Sequence, residues 1–510
     1  MENPSPNYII IRFSVFSSPF SSPPQTNHLP HREKDEEMEE PLESHVLVLP
    51  FPAQGHIKPL LCLAKVLATS GLRVTFLNTH HNHRRILPRD PCFSPSPLLC
   101  FESISDGLPD NHPRSLERLE ELVLSIKTEM KAHLREFLLR KRVQFPVTCI
   151  IADGIMSIGI DVAEELGIPV ISFRTYSACC LWTYLCIPTF ILEGKLPFPD
   201  DDLDKEFHGL PGAEGLLRRR DLPSICRSKI DSKLYRYFID ENIAMTRACA
   251  LIINTFDALE APMLSHLAPI FSDVYTIGPL HALATQSNVG QFSGRSESVS
   301  SLWIEDRSCM VWLDSQAPRS VVYVSFGSLV KIAIDQLMEF WHGLVNCGRP
   351  FLWVLREDVI LGEKEENVKS LLSELKVTSQ TRCLVDWAPQ EEVLAHPAIG
   401  GFLTHNGWNS TMESIAAGIP MICWPRIADQ QINSRWVSEV WKIGLDMKDT
   451  CDRSTIDKMV NILMEDKKEE IMKSMARISA LASDSIGPEG SSLRNLERLM
   501  ENIRKIGRTS

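Results

Sequence analysis

Unbroken apolar runs of about six residues recur along this chain, each followed by a segment of helical periodicity, and this alternation limits the folds open to it. HVLVLP (45–50) is the first run. A continuous run, rather than apolar–polar alternation, is what a strand buried on both faces requires. After the loop FPAQGH comes a stretch with Ile57, Leu60, Leu61, Ala64 and Leu67 on one helical face, closed by Gly71. LRVTFLNT (72–79), TCIIAD (148–153), IPVISF (168–173) and ALIINT (250–255) continue the pattern. A second series follows: VVYVSF (321–326), FLWVL (351–355), CLVDW (383–387), GGFLT (400–404) and PMICW (420–424). Strands alternating with helices predict doubly wound parallel sheets. Between the two series, residues 285–301 (TQSNVGQFSGRSESVSS) have linker composition. With 510 residues the chain exceeds the size at which single cores stop growing, so two domains are expected. The predicted boundaries are 41–284 for the first and 302–485 for the second, with a helix at 486–510 packing back on the first.

The densest chemistry lies at residues 387–430, WAPQEEVLAHPAIGGFLTHNGWNSTMESIAAGIPMICWPRIADQ. Trp387 offers a flat apolar face, although a lone Trp is more often core. Gln390 presents an amide, and His405 ends the strand GGFLT. Asn409 and Ser410 open the next helix, whose unpaired N–H groups and partial positive charge suit a diphosphate. Glu413 stands about one turn on, on the same face. Ser410 to Glu413 also reads as a capping box. Ser328, in an SFGS turn after a strand, is expected as a second phosphate contact. Near the start, His56 in GHIKP follows the first strand, and Asp153 ends TCIIAD at the same sheet edge. A neutral imidazole can take the proton of a reacting hydroxyl, and a place just ahead of a helix N-terminus disfavours imidazolium. The plainer alternatives are a His that ends a strand and an Asp that caps a helix.

The 44-residue stretch from Trp387 to Gln430 resembles, almost residue for residue, the nucleotide-sugar signature box of plant family 1 glycosyltransferases. The resemblance runs along nearly the whole chain from about Ser44. It implies an α/β GT-B architecture, two Rossmann-like doubly wound domains facing a cleft, with ligands outside the carboxyl ends of the strands. It also implies an inverting glucosyltransferase that uses UDP-glucose as co-substrate and needs no metal. His56 is then the base, and Asp153 holds it. The implied donor-binding set is Ser328, Trp387, Ala388, Gln390, His405, Trp408, Asn409, Ser410, Glu413, Asp429 and Gln430. In relatives the Trp stacks on uracil, the Glu accepts the ribose hydroxyls, and the Asp–Gln pair binds the sugar, its Gln going with glucose. His405 and helix N-termini are expected to carry the diphosphate charge that Mg²⁺ would otherwise neutralise. One departure is Asn406, where relatives more often have Cys. LRRRDLPSICR and NSRWVSEVWKIGLDMKDTCDRST resemble plant iridoid glucosyltransferases of the 7-deoxyloganetic acid type, which implies an iridoid or other terpenoid acceptor. A small lipophilic acceptor is expected to meet the loop after Asn78, residues 102–115 and SACCLWTYLCIP (177–188), whose aromatics suggest an apolar cavity.

Other classes fit less well. The net charge of −12 argues against a nucleic-acid partner. The 14 Cys form no CxxC pair, so a zinc site or secreted disulfide framework is not indicated, and a cytoplasmic monomer is expected. No run reaches the 18 apolar residues of a membrane span. Asp200 to Asp204 contain a DxD spacing known from metal-dependent transferases, but an acidic loop is usually solvated. His80, His81 and His83 are expected near the acceptor rather than on a metal. Residues 1–40 read as a disordered or spurious extension, faintly similar at 3–30 to a plastid transit peptide. An NAD oxidoreductase would want a Gly-rich first turn, which FPAQGH is not. The rival from another class is a non-catalytic UDP-sugar-binding regulator.

Overall fold

The apolar runs assemble into two parallel sheets in a computed structural model that describes residues 44–86, 97–286, 301–361 and 365–509. The expected extension at 1–40, and residues 287–300 of the expected linker, lie outside the described residues. The first sheet contains β1 (His45–Leu49), β2 (Arg73–Thr79), β3 (Leu99–Ile104), β4 (Cys149–Asp153), β5 (Val170–Arg174), β6 (Ala250–Ile253) and β7 (Val274–Thr276). Its order is β3-β2-β1-β4-β5-β6-β7, with Val46 paired to Val74 on one side and Cys149 on the other. The second half contributes β8 (Val321–Ser325), β9 (Ile332–Ala333), β10 (Phe351–Val354), β11 (Ile360–Leu361), β12 (Arg382–Val385), β13 (Ile399–Thr404), β14 (Met421–Cys423) and β15 (Gly444–Asp446). Here the order is β12-β10-β8-β13-β14-β15, and β9 pairs with β11 apart from it. The chain is α/β, two Rossmann-like domains with helices packed on their sheets.

Central strands β1, β4, β5, β6, β8 and β13 are buried at every position, as unbroken apolar runs demand. Three strands of the two sheets had no such run in the sequence: β3, β7 and β15. All three lie at a sheet margin and are partly exposed, so their side chains carry a weaker apolar pattern.

One apolar cluster includes Leu47 and Ile150 of the first half together with Tyr323, Phe402 and Met412 of the second. The last helix, Ser491–Thr509, lies on β7: Asn495 Nδ2 donates to Thr276 Oγ1 at 2.8 Å, and Ser492 Oγ donates to the Gly278 carbonyl at 2.6 Å. Its Leu499 and Ile503 are buried in the core of the first sheet. In each sheet the strand order reverses once, between β1 and β4 and between β8 and β13, and crevices for ligands form at such points.

Candidate active site

Residues at the carboxyl ends of β1, β5, β8 and β13 line one cleft with about 1180 Å³ of empty space, part of it open to solvent. His56 enters it from the third position of helix Gln54–Thr69. It was expected just ahead of that helix. The chain instead turns at Ala53, whose extended backbone lets the helix begin at Gln54, three residues earlier than expected. His56 Nδ1 stands 2.7 Å from Asp153 Oδ2 and 3.1 Å from Thr175 Oγ1. Asp153 is buried and held on both oxygens: Oδ2 also accepts the Phe51 N–H at 3.4 Å, and Oδ1 accepts the Ile155 N–H at 3.1 Å. It does not cap the next helix, which starts only at Ser157. With Nδ1–H donating to the carboxylate, Nε2 carries the ring's free lone pair. Phe51 and Tyr176 pack on the imidazole at centroid distances of 5.2 and 6.2 Å.

Opposite, helix Trp408–Ala417 is preceded by Gly407, with no side-chain cap. The capping-box alternative therefore fails, because the helix starts before Ser410. Ser410 Oγ instead accepts from Gln390 Nε2 at 2.9 Å, and the same amide donates to Glu413 Oε2 at 2.7 Å. Tyr323 OH donates to Gln390 Oε1 at 3.2 Å. Trp408 and Asn409 spend their side-chain donors on the first half: Nε1 on the Asn254 carbonyl at 2.8 Å, and Nδ2 on the Gly55 carbonyl at 2.7 Å. The backbone at this helix start still borders the cleft.

His405 is wedged between two glycines. A Cβ at Gly327 or at Gly407 would come within 2.6 Å of its ring, and Gly327 also has φ +73°. Burial pushes the His405 pKa down to about 4, against the opposing pull of the Ser325 backbone carbonyl. The ring is therefore neutral near pH 7. It offers one N–H rather than a positive charge, because desolvation disfavours imidazolium. Its Nδ1 is buried without a partner.

Asp429 is buried too, and burial raises its pKa to about 6 although Asn433 Nδ2 donates to it at 2.7 Å and His56 and Arg174 lie near. Gln430 Oε1 accepts the N–H groups of Arg426 (2.8 Å) and Ile427 (3.0 Å), so its NH₂ is the group left to donate. The turn is clipped to the first half: Ala428 N–H donates to Ser224 Oγ at 2.7 Å, and Ser224 N–H donates to the Ala428 carbonyl at 3.0 Å.

Ser328, Trp387 and Ala388 line the same cleft. Two residues beside them carried no sequence signal. Trp303 stacks on Trp387 at 4.8 Å, and the Arg356 guanidinium lies over both rings at 4.3 and 5.3 Å. Arg356 Nη2 also donates to the Ser328 carbonyl at 3.0 Å, tying the aromatic pair to that turn. Asn406, the departure from the family pattern, has φ +63°, which Asn tolerates well, and its Oδ1 accepts from Thr411 Oγ1 at 3.2 Å.

The expected acceptor segments lie outside the cleft lining. The aromatics of 177–188 lie in helix Ala178–Leu192 as core: Trp182 stacks on His266 at 5.0 Å and donates to the Pro211 carbonyl at 3.0 Å. Thr175 and Tyr176, just before that helix, reach the cleft instead. Residues 102–115 close on themselves, with Arg114 bidentate on Asp106 at 2.9 and 3.1 Å. His80, His81 and His83 belong to helix His80–Ile86, outside the cleft lining, and His80 meets Ser103 Oγ at 2.9 Å. Asp200 and Asp204 are taken up by Arg219 and Arg220. Among the described residues no group of three or more His, Cys, Asp or Glu could hold a metal, and no helix is long and apolar enough to cross a membrane.

The family model described as UDP-glucoronosyl and UDP-glucosyl transferase matches residues 233–485. A 7-deoxyloganetic acid glucosyltransferase of Catharanthus roseus is 46% identical over 475 residues, covering 91% of this chain and 98% of its own. A mogroside I-A1 synthase of Siraitia grosvenorii is 48% identical over 450 residues, covering 87% and 86%. Among solved structures, Os79 from O. sativa in complex with UDP superposes with a TM-score of 0.76 at 28% identity, over 90% of this chain and 100% of that one.

Proposed function

The chain belongs to the UDP-glucoronosyl and UDP-glucosyl transferase family, and from that membership we propose that it moves glucose from UDP-glucose to a hydroxyl or carboxyl of a small lipophilic plant metabolite. One observation carries the catalytic part of this reading. A histidine bound through Nδ1 to a buried carboxylate shares a cleft with Glu413 and Asp429. The free Nε2 takes the acceptor's proton as its oxygen attacks the anomeric carbon, the bond from that carbon to the diphosphate breaks, and UDP departs. Asp153 stabilises the imidazolium that forms.

On the donor side, Trp387 and Ala388 meet the uracil, while Gln390 and Glu413 meet the ribose. The helix start at Trp408 to Ser410, together with His405 and Ser328, receives the diphosphate. Asp429 and Gln430 bind the sugar hydroxyls, Asp429 accepting and Gln430 donating. The acceptor reading is an iridoid or another terpenoid, supported by the Catharanthus relative's name and 46% identity. A monomer working in the cytosol completes the proposal.

Two outcomes are expected. With UDP-glucose and a panel of iridoids, terpenoids and phenols, mass spectrometry finds a product heavier by one hexose. Its NMR coupling constant is that of a β-glucoside, because one displacement inverts the α-linked donor. No hexose gain across the panel, or an α-glucoside, would sink the reading. Second, transfer persists in excess EDTA, since N–H groups at helix starts meet the diphosphate. Loss in EDTA with rescue by Mn²⁺ would return attention to the acidic run at Asp200.

A further inference from the structure

Lys58 lies two residues beyond His56, in the first turns of helix Gln54–Thr69. Its ammonium crosses the cleft to two carboxylates of the second half, 2.7 Å from Glu413 Oε1 and 2.7 Å from Glu391 Oε1. The Glu413 side chain is only 4% exposed, and its other oxygen is engaged by Gln390. Two neighbouring carboxylates, one of them buried, are costly unless a cation stands between them. Burial alone would lower the Lys58 pKa, but Glu391 and Glu413 outweigh it and hold the group above the usual lysine range. Burial alone would raise the Glu391 pKa, and Lys58 brings it below the carboxylate range, with His281 and Lys65 also facing it. Beside Lys58, the Gly55 carbonyl accepts Asn409 Nδ2 at 2.7 Å. The turn that carries His56 is thus tied twice to the donor-side elements.

We propose that Lys58 is a positioning residue for the transfer: its ammonium keeps the Glu413 carboxylate aimed at the ribose and, through the same bond, steadies the turn that bears His56. The proposal rests on reading Glu413 as the ribose acceptor. A carboxylate has about four lone-pair sites, so Glu413 can keep Lys58 and Gln390 and still accept two hydroxyls. Without the ammonium, Glu391 and Glu413 are neighbouring like charges with no cation between them, and their repulsion turns the Glu413 carboxylate away from the ribose.

The test is calorimetric UDP affinity, with kcat at saturating UDP-glucose, for the wild type, Lys58→Met, Lys58→Met/Glu391→Gln and Glu413→Gln. Lys58→Met weakens UDP binding by about tenfold or more, the worth of a hydrogen bond to a charged group. Glu391→Gln in the same chain removes the repulsion and restores affinity to within about threefold of wild type. The kcat of both Lys58→Met chains stays lowered, because the turn keeps only one of its two ties. A Lys58 that only braces the two helices would leave the double variant as weak as the single one, and that result overturns the proposal. So does wild-type affinity in Lys58→Met alongside a loss in Glu413→Gln. Wild-type affinity in Glu413→Gln would instead overturn the ribose reading. Should Lys58→Met fail to fold, Lys58→Gln takes its place with the same expectations.

Discussion

Replacing His56 by alanine leaves UDP binding near its wild-type strength and lowers turnover by about 10²–10⁴-fold, the usual worth of general acid–base catalysis. The two effects separate because of where the ring sits. Its Nδ1 is occupied by Asp153 and Thr175, and its faces are packed by Phe51 and Tyr176, all from the first half. The groups proposed to grip the nucleotide come from the second half and keep their partners when the ring is gone. Asp153 also keeps the Phe51 and Ile155 N–H groups, so the carboxylate is not left bare and the fold survives. Asp153→Asn gives a smaller loss, since the imidazole remains but loses the anion that orients it and steadies its positive form. Calorimetry with UDP and initial rates on a hydroxyl acceptor measure both quantities. Wild-type turnover in His56→Ala would exclude this histidine as the base.

Asp429→Asn has opposite effects on activity and stability. Turnover falls by about 10–10²-fold, because charged hydrogen bonds to the sugar become neutral ones. The melting temperature rises. Burial lifts the Asp429 pKa from 3.8 to about 6, so ionising it in the folded protein costs about 3 kcal/mol near neutral pH. A carboxyl whose folded pKa lies above its unfolded value favours the fold fully only below the unfolded value. That advantage is lost as pH rises through about 6. Asparagine removes the cost. The same shift predicts an acid limb in the wild type: kcat/KM for UDP-glucose declines as pH falls through about 6 and Asp429 takes up its proton. The part of the limb owed to Asp429 should be absent from Asp429→Asn, while any part owed to the base remains. A variant no more stable than wild type at pH 7.5, or an acid limb unchanged by the substitution, would remove Asp429 from this account.

Much of the architecture could be read before any coordinates. The central strands are unbroken apolar runs, and the helix after β1 buries Ile57, Leu60, Leu61, Ala64 and Leu67. Margins were harder. β3, β7 and β15 are partly exposed, so no continuous apolar run announces them. Trp182 and Tyr184 read as a pocket lining and are core, because an aromatic next to a cleft and one beneath it look alike in a sequence.

The order of residues alone determined which segments become buried strands, and it held His56, Asp153 and the polar positions from Trp387 to Gln430 at strand ends and helix starts. Such features depend on neighbours within a few residues. Tertiary structure alone decided the charges. Lys58 meets Glu413 across 355 positions, and Asp200 finds Arg219. His405 is kept neutral, and Asp429 is brought close to neutral pH. Pairing and desolvation depend on which distant side chains exclude water from a group, and that is set only when the two halves pack together.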